Sequence, residues 1–232
     1  VHASKETIEG IAISMPGTIN EQDGLVIQGG SLTYNANQYV GRQLEERLGI
    51  PVSIHNDAKC AAMAELQLGN MRDIKDGIVL VFGTGLGGCV IMNHEIHQGH
   101  HFFAGEVSAM IVKDPLVYQR KAALGEQSGI PAFVQKVKEA KQWQDEIDGP
   151  LVFAWLQQGD PITSQLFQEY CWNVAIQLYN FQCMFDPQRI CIGGGVSAQP
   201  LFLQTIQKMV DALYTQLPDF IPRAEVTTCK FY

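Results

Sequence analysis

The chain has 232 residues and a net charge of −8, and 46% of its residues are hydrophobic and 17% charged. This is a globular composition, with length for one large or two small domains. No Lys/Arg-rich run is present, so a nucleic-acid surface within this chain is not expected, and the longest apolar runs are too short to span a bilayer.

The hydrophobic pattern predicts strands and helices that alternate along most of the chain. The predicted strands are residues 8–15, 51–54, 77–83, 88–93, 189–196 and 224–232. The predicted helices are residues 40–49, 57–68, 129–142, 150–157, 163–185 and 200–216. This alternation indicates an α/β fold with βαβ units.

The six cysteines are scattered and form no CxxC pair. They lie in apolar stretches, at Cys60, Cys89, Cys171, Cys183, Cys191 and Cys229. Free cysteines in such places behave as small core residues, which favours a reduced, cytoplasmic protein. A disulfide framework is the weaker alternative, because a chain of this length can build its own core.

Two glycine-rich segments follow predicted strands. FGTGLGG (82–88) has the GxGxxG spacing, but an apolar strand follows it and a dinucleotide fingerprint needs a helix there. A glycine-rich hairpin loop, with Thr84 as a hydroxyl donor, can bind phosphate or can simply be a tight turn. CIGGGVS (191–197) lies at the carboxyl end of a strand, where it can hold a ligand or serve only as a strand–helix turn.

Asp57 stands between the strand 51–54 and an alanine-rich helix. An Asp in this setting most often caps the helix, and the local sequence favours that interpretation. The alternative is a general base at the end of a strand, with Asn56 beside it.

Two further groups of polar residues stand in the segment 94–113. His94, His97, His100 and His101 match no common zinc spacing and predict a solvated loop. Glu106 is a lone acid in FFAGEVSAM, either bound to a partner or exposed after a turn.

Taken in order, five segments resemble the ROK family of sugar kinases and sugar-responsive repressors, and most closely its bacterial β-glucoside kinases and glucokinase-like members. They are GIAISMPG, HNDAKCAAMAE, VFGTGLGGCVI, GHHFFAGEVSAM and ICIGGGVS. The resemblance implies an actin/hexokinase-type ATPase fold of two α/β lobes with a cleft. Residues 1–70 would be an incomplete first lobe, and residues 71–232 the second.

The resemblance also assigns roles to residues. Asp57 would be the catalytic base, and sugar would be bound by Gly17, Ser31, Asn56, Asp57 and Glu106. ATP would contact the phosphate loop and the adenosine motif, through Gly83, Thr84, Gly85, Gly87, Gly194 and Gly195. The implied cofactors are ATP and Mg²⁺.

Several positions depart from the family pattern. The zinc-binding His is Ala109 and the cysteine-rich run is missing, so no structural zinc is expected. The second sugar-binding Glu falls near Gln119, and His55 and Lys59 flank the NDA segment. The first phosphate loop and the closing helix have no counterpart, so we expect a fragment of a longer chain.

The sequence therefore predicts a cytoplasmic, ATP-dependent kinase that phosphorylates a hexose or β-glucoside, at O6 by our interpretation. The alternatives are a sugar-responsive repressor of the same family and a sugar-binding protein that has lost catalysis. Only the resemblance suggests a homodimer.

Overall fold

The structure is a computed structural model that describes residues 8–231. Its internal contacts separate into two compact units, one holding residues up to Cys60 together with Gln98–Ala104, the other holding Ala61–His97 and the rest. The lobe boundary expected at residue 70 stays a prediction.

The predicted strands and helices are present, with boundaries that differ by a few residues, and the short elements within 18–28, 95–96 and 115–128 were not predicted. The strands are β1 (Ile11–Met15), β2 (Thr18–Asn20), β3 (Leu25–Gln28), β4 (Val52–Asn56), β5 (Gly77–Phe82), β6 (Leu86–Met92), β7 (Glu95–Ile96), β8 (Arg189–Gly193) and β9 (Glu225–Thr228). The α-helices are α1 (Val40–Leu48), α2 (Asp57–Leu68), α3 (Pro115–Tyr118), α4 (Leu124–Ser128), α5 (Ile130–Ala140), α6 (Gly149–Gln157), α7 (Pro161–Phe185) and α8 (Pro200–Tyr214).

The last predicted strand, 224–232, is shorter than expected, and Tyr232 lies outside the described residues. Within residues 8–231, none of the helices combines the length and the apolar composition needed to cross a bilayer.

The first unit is built on a parallel pair of strands. β1 pairs with β4 in a register that sets Met15 opposite Asn56, and β2 and β3 form an antiparallel hairpin. Their inward side chains make a small apolar core of Met15, Ile19, Val26 and Ile54. The two parallel strands therefore end side by side at the same edge.

The second unit is a mixed sheet in the order β7-β6-β5-β8-β9, in which β5, β8 and β9 run parallel. β5 is covered on both faces, which explains its continuous apolar sequence. Ile78, Leu80 and Phe82 pack with the helices α5 to α8. Val79 packs instead with Ala62 and Leu66 of α2, because successive side chains point to opposite faces.

The free cysteines do not all lie in the core. Cys89, Cys171, Cys191 and Cys229 are buried as expected, and Cys60 is half-buried. Cys183 is exposed on α7, so the expectation of a core position was wrong for this residue. The helix pattern agrees with this exposure, since Cys183 lies outside the apolar face formed by Leu178 and Phe181.

The long helix α7 begins with a charged cap. The Asp160 carboxylate accepts hydrogen bonds from the Thr163 backbone N–H and hydroxyl, at 2.9 and 2.6 Å. Lys141 Nζ donates to its other oxygen at 2.6 Å. The Lys141 hydrogen bond is the largest of the effects that lower the pKa of Asp160, to about 2.

This cap predicts a pH dependence of stability. The pKa of Asp160 is lower in the folded chain (about 2) than the ordinary value of 3.8, so the ionised carboxylate stabilises the fold above the ordinary pKa. We expect Asp160→Asn to lower the denaturation midpoint at neutral pH, and the gap from wild type to close as pH falls from about 4 to about 2.

The measurement is a set of denaturant titrations across this pH range. Asp219→Asn, which removes an exposed acid, is the control and should show no such pH-dependent gap. A gap for Asp160→Asn that is constant with pH would show that the charge does not act in this way.

Candidate active site

The helix α2 is capped by Asn56, the last residue of β4. Asn56 is buried, and its Oδ1 accepts the backbone N–H of Lys59 at 3.1 Å, which is the bond of an N-cap side chain. Its Nδ2 donates to the carbonyl oxygen of Gly17 at 3.0 Å. One amide therefore caps a helix and also fixes the turn after β1.

Asp57 is the first residue of α2 and its side chain is exposed. Its Oδ1 accepts the adjacent Ala58 N–H at 2.8 Å. The interpretation favoured by the local sequence, that Asp57 is the cap, was wrong, because Asn56 occupies the capping position. The carboxylate is left at the solvent-facing start of the helix, where the helix dipole favours negative charge.

Cys60 lies one turn into the same helix. Burial is the main effect that raises the pKa of its thiol, partly offset by a hydrogen bond with Ser14, and the nearby charges of Asp57 and Glu21 raise it further. The thiol is therefore held protonated beside the carboxylate and is not an activated nucleophile.

Gly17 cannot be replaced without moving the backbone. Its φ is +110°, and a Cβ built there would lie 2.0 Å from the carbonyl oxygen of Gln28. Gly30 packs against the same turn, and the exposed Ser31 follows it. In the first unit, the structure thus brings Gly17 and Asn56 into contact beside Asp57, with Ser31 in the loop that packs on Gly17.

In the second unit, the two glycine segments meet at the carboxyl edge of the sheet. β5 and β8 are parallel neighbours, with Val81 opposite Gly193. Gly194 has a φ of +89°, and a Cβ there would lie 2.1 Å from the Phe82 carbonyl oxygen. The GGGV turn therefore crosses directly over the end of β5, where GTGLGG begins.

The hairpin loop itself is open. β5 and β6 are antiparallel and pair as far as Phe82 and Leu86, as the sequence predicted. A Cβ on Gly83 or Gly85 would meet nothing within 4 Å, and both residues are exposed, as is Thr84. The packing of the hairpin does not require these glycines, which favours the interpretation that a ligand approaches the backbone here. Gly195 is similarly open, and Gly87 is half-buried within β6.

The start of α5 packs against this loop. The backbone N–H of Ile130 donates to the Gly83 carbonyl at 3.1 Å, and a Cβ on Gly129 would lie 2.5 Å from the Thr84 carbonyl. The partial positive charge of a helix N-terminus therefore lies beside the exposed loop, an arrangement that stabilises anionic groups.

Glu106 is half-buried in the second unit and precedes a short 3₁₀ turn, Val107–Ala109. The carbonyl of the preceding Gly105 lies 2.5 Å from the position that a Cβ on Gly88 would take, so this turn packs tightly on β6. Of the four histidines expected in a solvated loop, His94 has its Nδ1 2.8 Å from the Ile74 carbonyl oxygen. The rings of His100 and His101 contact each other edge to face.

No group of three or more His, Cys, Asp or Glu side chains arranged to hold a metal occurs in residues 8–231. The absence of a structural zinc stays a prediction.

Lys59 was overlooked by sequence reasoning except as a departure from the family pattern. It is only 1% exposed, and its Nζ donates to Gln98 Oε1 at 2.5 Å and to the Phe102 carbonyl at 2.9 Å. The available signal was its position in AKCAAMAE, where it shares a helix face with the buried Ala62.

Comparison with known proteins decides the family. The model of the ROK family matches residues 1–228 of this chain. The chain belongs to the ROK family.

Relatives in the ROK family include named kinases. A β-glucoside kinase from Listeria monocytogenes is 33% identical over 212 residues, which cover 90% of this chain and 72% of that protein. A structure from Listeria monocytogenes, described as a candidate N-acetylmannosamine kinase, is 31% identical with a TM-score of 0.86, covering 96% of this chain and 75% of that one.

A ROK family glucokinase from Streptomyces griseus, solved with glucose and AMPPNP, has a TM-score of 0.85 at 24% identity, over 97% of this chain and 78% of that one. This last likeness supports the fold alone. The predicted family, the actin/hexokinase-type fold and the sugar-kinase class are thus confirmed. The individual site residues carried over from the ROK pattern stay predictions.

The two kinds of glycine in this ROK site predict different mutational effects. Gly194→Ala forces a side chain into the Phe82 carbonyl, so we expect a loss of about 2 kcal/mol or more of unfolding free energy. Gly85→Ala meets open space and should change that free energy by less than about 0.5 kcal/mol. Denaturant titration of both variants tests this, and equal losses would contradict it.

Proposed function

We propose that the full-length protein transfers the γ-phosphate of Mg·ATP to a hydroxyl of a hexose or β-glucoside, at O6, with Asp57 as the general base. The observation that carries this proposal is that two neighbouring side chains at the β4–α2 junction have different roles. Asn56 caps the helix, so the exposed Asp57 carboxylate is not required for capping.

The first unit supplies the groups for the sugar in this proposal. Asp57 accepts the proton of the attacking hydroxyl, and a base positioned in this way contributes about 10²–10⁴-fold to the rate. Asn56, Gly17 and Ser31 lie around the same strand ends and would hold neighbouring hydroxyls. Glu106, from the second unit, is proposed as a further sugar ligand on the strength of the ROK pattern.

The second unit supplies the surface for the nucleotide. Gly83, Thr84 and Gly85 expose backbone and hydroxyl groups beside the N-terminus of α5, which suits the phosphates. Gly87 is proposed in the same phosphate loop, and Gly194 and Gly195, at the end of β8, as the backbone near the nucleoside. Phosphoryl transfer depends on positioning and charge stabilisation more than on reactive side chains, which fits glycine-rich surfaces.

The ROK relative named β-glucoside kinase motivates the substrate class. A kinase is favoured over a sugar-responsive repressor because a repressor needs neither an exposed carboxylate at position 57 nor an open glycine hairpin. Binding of a sugar without ADP release would favour the repressor, or a protein that has lost catalysis.

The test of the base is Asp57→Asn in the full-length protein. We expect kcat for sugar-dependent ADP release to fall about 10²–10⁴-fold while sugar affinity and stability are retained. Glucose, mannose, N-acetylmannosamine and cellobiose would be assayed with Mg·ATP.

Asp148→Asn is a matched control, because Asp148 is a true N-cap whose Oδ1 accepts from Leu151 N at 2.9 Å. It should leave kcat unchanged. If Asp57→Asn kept wild-type turnover, the general-base role would be refuted.

The phosphate loop is tested separately with Gly85→Ala. A methyl group on the exposed loop would obstruct approach of the phosphates, so we expect KM for ATP to rise about tenfold with KM for the sugar unchanged. Steady-state kinetics with each substrate varied in turn gives both constants. An unchanged KM for ATP would place the phosphates elsewhere.

A further inference from the structure

Lys59 is a fully buried lysine. The free energy lost when its ammonium group is removed from water must be offset by the bonds that the group makes. Burial of an ammonium group without partners is strongly unfavourable, so such groups are retained where they make specific bonds. The hydrogen bonds of Nζ go to two residues of one short segment, Gln98 and Phe102. Both acceptors are uncharged, so the bonds define geometry more than they neutralise charge.

The Gln98 amide links Lys59 to an acid. Its Oε1 accepts from Lys59, and its Nε2 donates to Glu21 Oε1 at 2.6 Å. The same Glu21 oxygen lies 3.1 Å from His55 Nδ1, and His55 Nε2 lies 3.0 Å from Ser53 Oγ. Because both ends of the amide are engaged, Gln98 has one orientation in this chain of polar groups.

The second acceptor lies in a strained turn. Phe102 has a φ of +58°, a left-handed conformation that bulky residues rarely adopt. Its carbonyl is the one that Lys59 binds, and within the turn the Ala104 N–H donates to the Gln98 carbonyl at 3.2 Å. A strained conformation persists only where the surroundings fix it, and here the ammonium provides a direct bond.

The segment 98–104 belongs to the first unit, whereas the residues before and after it belong to the second. Ala104 is followed in the chain by Gly105 and then Glu106. A single residue, Gly105, therefore separates the segment from Glu106 along the chain.

We propose that Lys59 is a positioning residue for sugar binding. Its buried ammonium holds residues 98–104, the segment that leads to Gly105 and Glu106, in one conformation. This inference rests on the proposed function for its kinetic consequence. The holding of the segment by Lys59 is independent of that function. Lys59 is not a catalytic residue, because its Nζ is buried and bound to protein groups.

The test combines amide hydrogen exchange with kinetics on the full-length protein. Lys59→Met keeps the length of the side chain and removes the ammonium, and Gln98→Met removes one acceptor and the link to Glu21. We expect exchange of the peptide covering residues 98–104 to accelerate about tenfold in either variant, with the peptide covering β5 unchanged. KM for the sugar should rise about tenfold, with KM for ATP unchanged and kcat within about threefold of wild type.

The double variant and a surface control separate positioning from general destabilisation. Lys59 and Gln98 act in one network, so the double variant should raise the sugar KM by much less than the product of the two single effects. Lys208→Met removes an exposed lysine from α8 and should change neither exchange nor KM.

Two results would overturn the proposal. One is unchanged exchange of residues 98–104 in folded Lys59→Met or, if that variant does not fold, in Gln98→Met. The other is an unchanged sugar KM despite faster exchange. A wild-type protein with no turnover would instead count against the proposed function. Calorimetric affinity for the sugar that binds would then replace KM, and the exchange measurement would stand as before.

Discussion

The double role of the Asn56 amide is the contact on which the candidate site depends. It accepts from the backbone of α2 and donates to the turn after β1, so it ties the ends of two parallel strands to the start of a helix. An ionised Asp at this position could accept from α2 but could not donate to the Gly17 carbonyl. Since Asn56 satisfies the helix, Asp57 can face solvent with its charge available. The general-base proposal therefore depends on Asn56 as much as on Asp57.

The second unit meets a different constraint, the close approach of backbones at one edge of a sheet. Gly194 crosses over the end of β5 so closely that a methyl group there would overlap the Phe82 carbonyl. Gly83 and Gly85, which follow Phe82 in the hairpin loop, are under no such restriction. The same residue type is thus structural at one position and a candidate for ligand approach at another. Only the surrounding atoms distinguish the two.

The alternation of strands and helices was predictable because most segments carry a clear local pattern. The apolar run of β5 and the apolar face of α7 are each buried as their periodicity indicates. The local sequence assigned the cap to Asp57 and not to Asn56, since both residue types cap helices well and the choice depends on which side chain turns toward the N–H of Lys59. Lys59 could not be assigned at all, because its partners, Gln98 and Phe102, are about forty residues away in sequence.

The sequence by itself determined the α/β class, the hairpin character of GTGLGG and the resemblance to the ROK family. These depend on short-range periodicity and on the order of motifs along the chain, and both are properties of the amino-acid sequence. The tertiary structure alone decided that Asn56 is the cap, that GTGLGG and GGGV share one edge of a sheet, and that a buried lysine holds a strained turn. The last two join residues distant in sequence, and the first depends on which of two neighbouring side chains turns toward the N–H of Lys59; packing and hydrogen-bond geometry decide all three.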